Sequence, residues 1–459
     1  MKNGIFRSIP IIIIISLFIT VISGLSIEPI DEQTHIVILH INDPHGKLLP
    51  YDEKDAKDVG GMTRVATLIR KIRNENPDNT LVLHAGDELS RGDDPTICVG
   101  GEVNMLVMDS IGFDAFTPGN GDFYFGLSNL LKQTALMKVP VIHANVFHKE
   151  NGEQIFPSYI IKEINGIKIG ILGLGFVRKE HPSGRVLKLD DPIETAKALL
   201  PEIEKKSDIV IALTHIGLGA DKLLAEKVPN IDVIVGGHSH NKLDRPMLVP
   251  RRDGNSRVVV VQAGEYTRYL GRLDIYVNKE ESGNYEISKA DGRMITIDDS
   301  IEEDEIVSGI IKGYSDRLSE VLCTLDATLR YKNTKEPTIG EFAADAVKIR
   351  SGCDVALLDK DSIQKGIEKG KVTLRDVCRI HPWHNHILIF NLTGKQLREA
   401  LSERNAFVSG KVSDKGEIYK VAVDEFLWSN IKSLKDVPFE ETGMTINNIL
   451  VEHFRELGR

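Results

Sequence analysis

Cysteine is scarce in this sequence, with four residues in 459. A chain of this length can bury a sizeable core without staples, so a disulfide-framed mini-fold is excluded. Cys98, Cys323, Cys353 and Cys378 follow no Cys-x-x-Cys spacing, which removes a thiolate zinc site as well. Their even number leaves pairing and buried free thiols both open. Basic excess is also missing: 57 Lys+Arg stand against 67 Asp+Glu, a formal net charge of −10. Sequence-independent nucleic-acid binding relies on Lys and Arg neutralising phosphates, so nucleic acid is not an expected partner. A local basic pocket for one small anion stays open. Aromatic residues make up only 6%, and the 39 Gly and 18 Pro show no period, which rules out collagen-like and low-complexity chains. What remains is a mixed α/β protein long enough for two or more domains.

The first 26 residues are of another physical class. Lys2 and Arg7 precede an apolar run from Ile9 to Ile22 with five consecutive isoleucines, Ile11 to Ile15. The run falls short of the ~20 residues of a comfortable span, and a charged head, apolar middle and small residues at Ser23, Gly24 and Ser26 read as a secretory signal. No Ala-x-Ala stands at the cleavage site, so an uncleaved N-terminal anchor is the alternative. Either way the chain is expected to be exported: periplasmic, extracellular or at the cell surface. Membrane contact is expected only if the segment stays uncleaved.

From residue 34 onward the pattern alternates strand and helix. His35 to Ile41 is a β-branched strand ending at Asn42-Asp43-Pro44-His45-Gly46, and Met62 to Ile72 has helical apolar spacing. Thr80 to His84 is a strand ending at Gly86-Asp87. Ile209 to Leu213 leads into Thr214-His215, and Val233 to Val235 into Gly236-Gly237-His238-Ser239-His240. Each chemically loaded cluster follows directly on an apolar strand, where α/β sheets place their ligands. Asp298 to Leu322 reads as one amphipathic connecting helix. A second pattern runs from Thr324 to Arg459: helix Ile339 to Ile349, strands Asp354 to Leu358 and His386 to Leu392, helix Gly394 to Glu403.

Asp43, His45, Asp87, Asn120, His215, His238 and His240 mix carboxylate and amide oxygens with imidazole nitrogens, a donor set suited to Zn, Mn, Fe or Co. Taken singly, an Asp or Asn at a strand end usually caps a turn. Gly-Gly-His-Ser-His and Asp-Pro-His at strand ends are not explained that way.

Asp43-x-His45, Gly86-Asp87, Gly119-Asn120, His215 and Gly237-His238-x-His240 together resemble the calcineurin-like metallophosphoesterase pattern. More narrowly, residues 34 to 459 resemble the secreted 5′-nucleotidase and 2′,3′-cyclic-nucleotide phosphodiesterase family. The resemblance implies a four-layer α/β sandwich with mixed sheets at 34–295, a connecting helix at 298–322, and a smaller α/β substrate domain at 324–459. It further implies that Asp43, His45 and His240 hold one divalent ion, that Asn120, His215 and His238 hold a second, and that Asp87 bridges them. Two such ions activate a water for in-line attack on phosphorus, so no protein nucleophile is required. The expected partner is a small phosphorylated substrate such as a nucleotide.

Two departures from the family pattern stand out. Family members follow the Asn ligand with a His and place an acid three residues beyond it. Here those positions are Gly121 and Tyr124, with Asp122 between them. Tyr124, His84 and His148 are the candidates to fill the gap. The segment that grips the nucleotide in the family reads Asp359, Asp361, Ser362 and Gln364 here, without its Arg, and Glu341 stands where the family carries Asn. Asp345, Asp359, Gln364, Phe407 and Phe426 are the remaining candidates for substrate contact. The expectation is a metal-dependent phosphoesterase of reduced or altered activity; the alternative is a pseudoenzyme that binds metal and a ligand. Loss of such a group costs about 10²–10⁴-fold in rate.

Overall fold

The computed structural model describes Met1 and residues 33–90, 92–179, 181–252, 257–331, 338–412 and 417–459. The N-terminal signal or anchor segment lies outside the described residues. Among the described residues no helix is long and apolar enough to cross a membrane.

Two sheets face each other in the larger half. In one, Thr34–Ile41 runs parallel to Thr80–His84, which runs parallel to Ala115–Phe116. On its other side lies an antiparallel hairpin, Tyr269–Lys279 and Tyr285–Thr296. The second sheet has six strands, with Ile167–Gly175, Ile209–His215, Val233–Val235 and Arg257–Val261 parallel at its centre. Every residue of Thr80–His84, Ile209–His215 and Val233–Val235 is buried. Strands covered on both faces need continuous apolar runs, which is what these segments offer. Ile36, Ile38, Leu81 and Leu83 of one sheet pack against Ile169, Ile211 and Val233 of the other. Helices cover both outer faces: Met62–Glu75 packs on the first sheet and Pro192–Ile203 on the second. The result is a four-layer sandwich.

The helix expected over 298–322 is shorter, Glu305–Arg317. Asp304 caps it by accepting the Val307 N–H at 2.9 Å, so the acidic stretch before it forms a turn instead. Val307 and Ile311 sit in the core of the larger half.

The smaller half holds a five-stranded sheet in the order Ala406–Ser409, Val355–Asp359, Ile418–Asp424, His386–Thr393 and Phe439–Thr445. Helices Ile339–Ser351 and Ile446–Leu457 pack together on one face, and Gly394–Glu403 lies on the other. The halves meet where helix Asp94–Cys98 touches helix Leu374–Cys378. Asp94 accepts Arg379 through both carboxylate oxygens, at 2.7 and 2.6 Å, and lies 3.2 Å from Arg375. All four cysteines are free thiols, and Cys378 Sγ lies 3.9 Å from the Cys98 carbonyl across this seam.

Candidate metal centre and adjoining cleft

The parallel strands of both sheets empty at one end of the sandwich. Asp43 and His45 follow Thr34–Ile41, Asp87 follows Thr80–His84, and Asn120 follows Ala115–Phe116. His215 ends its strand, while His238 and His240 follow Val233–Val235. His215 lies between the sheets, and glycines make room for it. A Cβ would come within 2.6 Å of its ring at Gly86, 2.5 Å at Gly119 and 2.9 Å at Gly237. That close approach is why Asp87, Asn120 and His238 each follow a glycine.

Asp43, His45, Asp87, His238 and His240 all adopt positive φ, between 49° and 77°. Left-handed backbone is costly for such side chains and concentrates at functional sites. Asp43, His45 and His240 offer ligand atoms within 4.8 Å of one another, and so do Asp43, Asp87 and His215. Asp87 stands between the two groups, with Oδ1 3.2 Å from His215 Nε2 and Oδ2 3.9 Å from His45 Nδ1. Asn120 and His238 line the same pocket, of about 170 Å³. Asp43 Oδ1, Asn120 Oδ1 and His215 Nε2 are buried without a hydrogen-bond partner. Asp43 Oδ1 and His215 Nε2 face only other members of the cluster, His240 Nε2 and Asp87 Oδ1 at 3.2 Å each, and converging buried ligand atoms of this kind fit a divalent cation.

The surrounding groups orient the imidazole rings. Nδ1 of His45 meets the Ser90 hydroxyl, Nδ1 of His215 the Ala85 carbonyl and Nδ1 of His240 the Glu265 carboxylate, each at 2.6 Å. Nε2 of each ring is thereby left toward the cluster. Asp43 Oδ2 accepts from Asn42 Nδ2 at 2.7 Å and from the His238 N–H at 2.9 Å. Burial opposes charge on His215, but Asp87 and Asp43 outweigh it and lift the ring to about 10. Burial also opposes charge on Asp43, yet His215 and His240 hold that carboxyl below its usual range. A site that gathers this much opposing charge is suited to a cation.

Around the departures from the family pattern the geometry is specific. Asp122 does not enter the pocket. It accepts the backbone N–H groups of Asp87, Leu89 and Gly119 at 2.7–2.8 Å, and burial, then Asp87, pushes it up to about 7. A Cβ at Gly121 would lie 2.4 Å from Ser90 Oγ, so Ser90 fills the space where a side chain would start. The Tyr124 hydroxyl accepts from Asn120 Nδ2 at 3.1 Å, and its ring stacks on His181 at 4.9 Å. His84 is buried against Glu88, and His148 lies in a separate surface groove. Of the three candidates for the gap, only Tyr124 lines the pocket.

A cleft of about 430 Å³ joins this pocket to the smaller half, lined by Tyr124, Arg178 and His181 on one side and Asp361, Trp383, Arg404 and Phe426 on the other. Asp359 is buried beneath it and accepts from Arg404 at 2.6 Å, while the guanidinium lies 5.6 Å from the Phe426 ring centre. An arginine therefore does stand in the cleft, although position 364 lacks one. Gln364 bonds the Asp361 carbonyl, Asp345 accepts from Ser409, and Phe407 packs against Gly340, so these three candidates are engaged elsewhere. Sequence reasoning missed Ser90, Glu265, Arg178, His181, Trp383 and Arg404. Arg178 and Glu265 follow parallel strands too, but neither residue belongs to a ligand-type motif.

Fold and site define a metallophosphoesterase. Residues 36–242 match the calcineurin-like phosphoesterase model, and residues 313–432 match the 5′-nucleotidase C-terminal domain. The chain belongs to the family that joins these two units, and by class it is a metal-dependent phosphoric ester hydrolase. It is 30% identical over 424 residues to the trifunctional nucleotide phosphoesterase protein YfkN of Bacillus subtilis, covering 82% of this chain. It spans 28% of that relative's length. With a 5′-nucleotidase of Vibrio vulnificus it shares 26% identity over 81% of this chain and 76% of the relative. The solved 5′-nucleotidase precursor of Thermus thermophilus has the same fold, with a TM-score of 0.59 at 23% identity over 92% of this chain and 97% of its own.

Proposed function

We propose that this chain is an exported hydrolase of a small phosphate ester, a nucleotide or close relative, that works with two divalent ions. Asp43, His45 and His240 hold one ion, Asn120, His215 and His238 the other, and Asp87 stands between them. The observation that carries this is the pair of ligand groups that share Asp43, one with His45 and His240 and one with Asp87 and His215, at the floor of the pocket lined by Asn120 and His238. Ions bound there lower the pKa of a water and polarise a phosphoryl oxygen. The chain's own residues orient the rest: Glu265 and Ser90 fix their imidazoles, Tyr124 holds the Asn120 amide, and Phe426 with Trp383 offers apolar surface to the organic group. The names of the curated relatives support a nucleotide. We assign 34–295 to the metal-binding domain and 324–459 to the substrate domain, and we take the N-terminal apolar segment as the export signal or anchor.

The test is metal content by mass spectrometry together with turnover of an aryl phosphate and of AMP after loading with Mn, Co or Zn. Two ions per chain with turnover, abolished by Asp87→Ala, is the expected result. No turnover with any metal overturns it. Gly121 and Tyr124 favour a second reading, a pseudoenzyme, for which two ions and tight ligand binding without turnover is the signature.

A further inference from the structure

Position 121 has no room for the family's histidine unless Ser90 moves, because a Cβ there would lie 2.4 Å from Ser90 Oγ. A phosphoryl group at the pocket still needs a positive or hydrogen-donating neighbour beyond the metal ligands. Arg178 borders both the pocket that holds His45, Asp87, Asn120 and His238 and the cleft toward the smaller half. Among the described residues no carboxylate pairs with its guanidinium, in a chain of net charge −10. An arginine with no carboxylate partner among the described residues, at the junction of two cavities, is a cation set out for an anion.

Its support is rigid. Arg178 follows strand Ile167–Gly175, with Phe176 lying 5.3 Å from the His238 ring and Val177 buried beside it. On the far side, the Ser183 hydroxyl donates to the Phe123 carbonyl at 2.8 Å, and His181 stacks on Tyr124. The loop bearing Arg178 is thus tied to the loop bearing Asn120 and Tyr124, the two places where the family pattern is kept and lost.

The geometry points to Arg178 as the residue that grips the phosphoryl oxygens of the ligand, in place of the missing histidine. This rests on the phosphoesterase reading above. The ligand class is a dianionic phosphate monoester, with its phosphate between the metal ligands and Arg178 and its organic group toward Phe426. Arginine matches a phosphate with two parallel N–H donors and stays charged at any working pH, so the grip has no titration step of its own.

The experiment measures orthophosphate binding by calorimetry on Mn-loaded protein, beside turnover of an aryl phosphate, for wild type, Arg178→Ala, Arg178→Lys and Lys179→Ala. Arg178→Ala should bind orthophosphate at least 10-fold more weakly and lose about 10²–10³-fold in kcat/KM, with two ions still bound. Arg178→Lys should recover part of both, and Lys179→Ala should match wild type. Orthophosphate binding equal to wild type in Arg178→Ala overturns the inference, and equal loss in Lys179→Ala does so too, because a general field would then explain it. If wild type binds orthophosphate without turnover and Arg178→Ala loses that binding, the hydrolase reading falls and the grip stands. If wild type turns over and Arg178→Ala is indistinguishable from it, the grip falls and the hydrolase reading stands.

Discussion

At position 121 one missing side chain reshapes its surroundings. Ser90 Oγ sits 2.4 Å from where a Cβ would go and meets His45 Nδ1 at 2.6 Å, so serine and glycine belong together. Restoring the family's residue alone should fail. Gly121→His is expected to lose about 1–3 kcal/mol by overpacking and to gain no activity, measured by thermal melting and kcat/KM. Ser90→Gly in the same background should recover the lost stability. Tyr124→Phe removes the partner of the Asn120 amide, and metal affinity should fall about 10-fold or more, read by competition with a chelator while the melt barely moves. The clustering of Asp43, His45, Asp87, His215 and His240 at one end of the sandwich was legible because their residue types are rare at strand ends. Arg178 and Arg404 were not, because an arginine far along the chain carries no mark of the cavity it faces. Phe407 is ambiguous for the complementary reason: an aromatic side chain is most often packing, and here it packs on Gly340.

Elements were read with more success than their contacts. Strands Thr34–Ile41, Thr80–His84 and Ile209–His215 stand close to where apolar runs placed them. The hairpin Tyr269–Lys279 and Tyr285–Thr296 escaped, since its second strand has no fully buried residue and no continuous apolar run. Helix Glu305–Arg317 came out shorter than its apolar spacing suggested because Asp304 stops it at the N-terminal end. That carboxylate both caps Val307 and pairs with Arg70 at 2.8 Å. Asp304→Ala should therefore cost about 1–2 kcal/mol, seen as a lower denaturant midpoint with an unchanged slope.

Over the whole molecule, stability should depend on pH, and one contribution comes from the smaller half. Burial, opposed by the His386 N–H and reinforced by Asp424, pushes Glu425 from 4.5 up to about 7. Between those values the native state holds a proton that the unfolded chain has lost, so stability falls as pH rises through the window. Glu425→Gln should match wild type below pH 4.5 and exceed it above pH 7, by about 1–2 kcal/mol after discounting partial exposure. Denaturant titrations at pH 4.5 and 8 check the sign, and a larger gap at the lower pH would refute it.

Where the two halves touch, one acid serves two bases. Asp94 takes Arg379 through both oxygens and keeps Arg375 at 3.2 Å. Either arginine can be lost while the other still holds the carboxylate; the carboxylate has no understudy. A survey of single substitutions should therefore record a hub and its spokes: one intolerant acid facing two forgiving bases, though all three share the same contact.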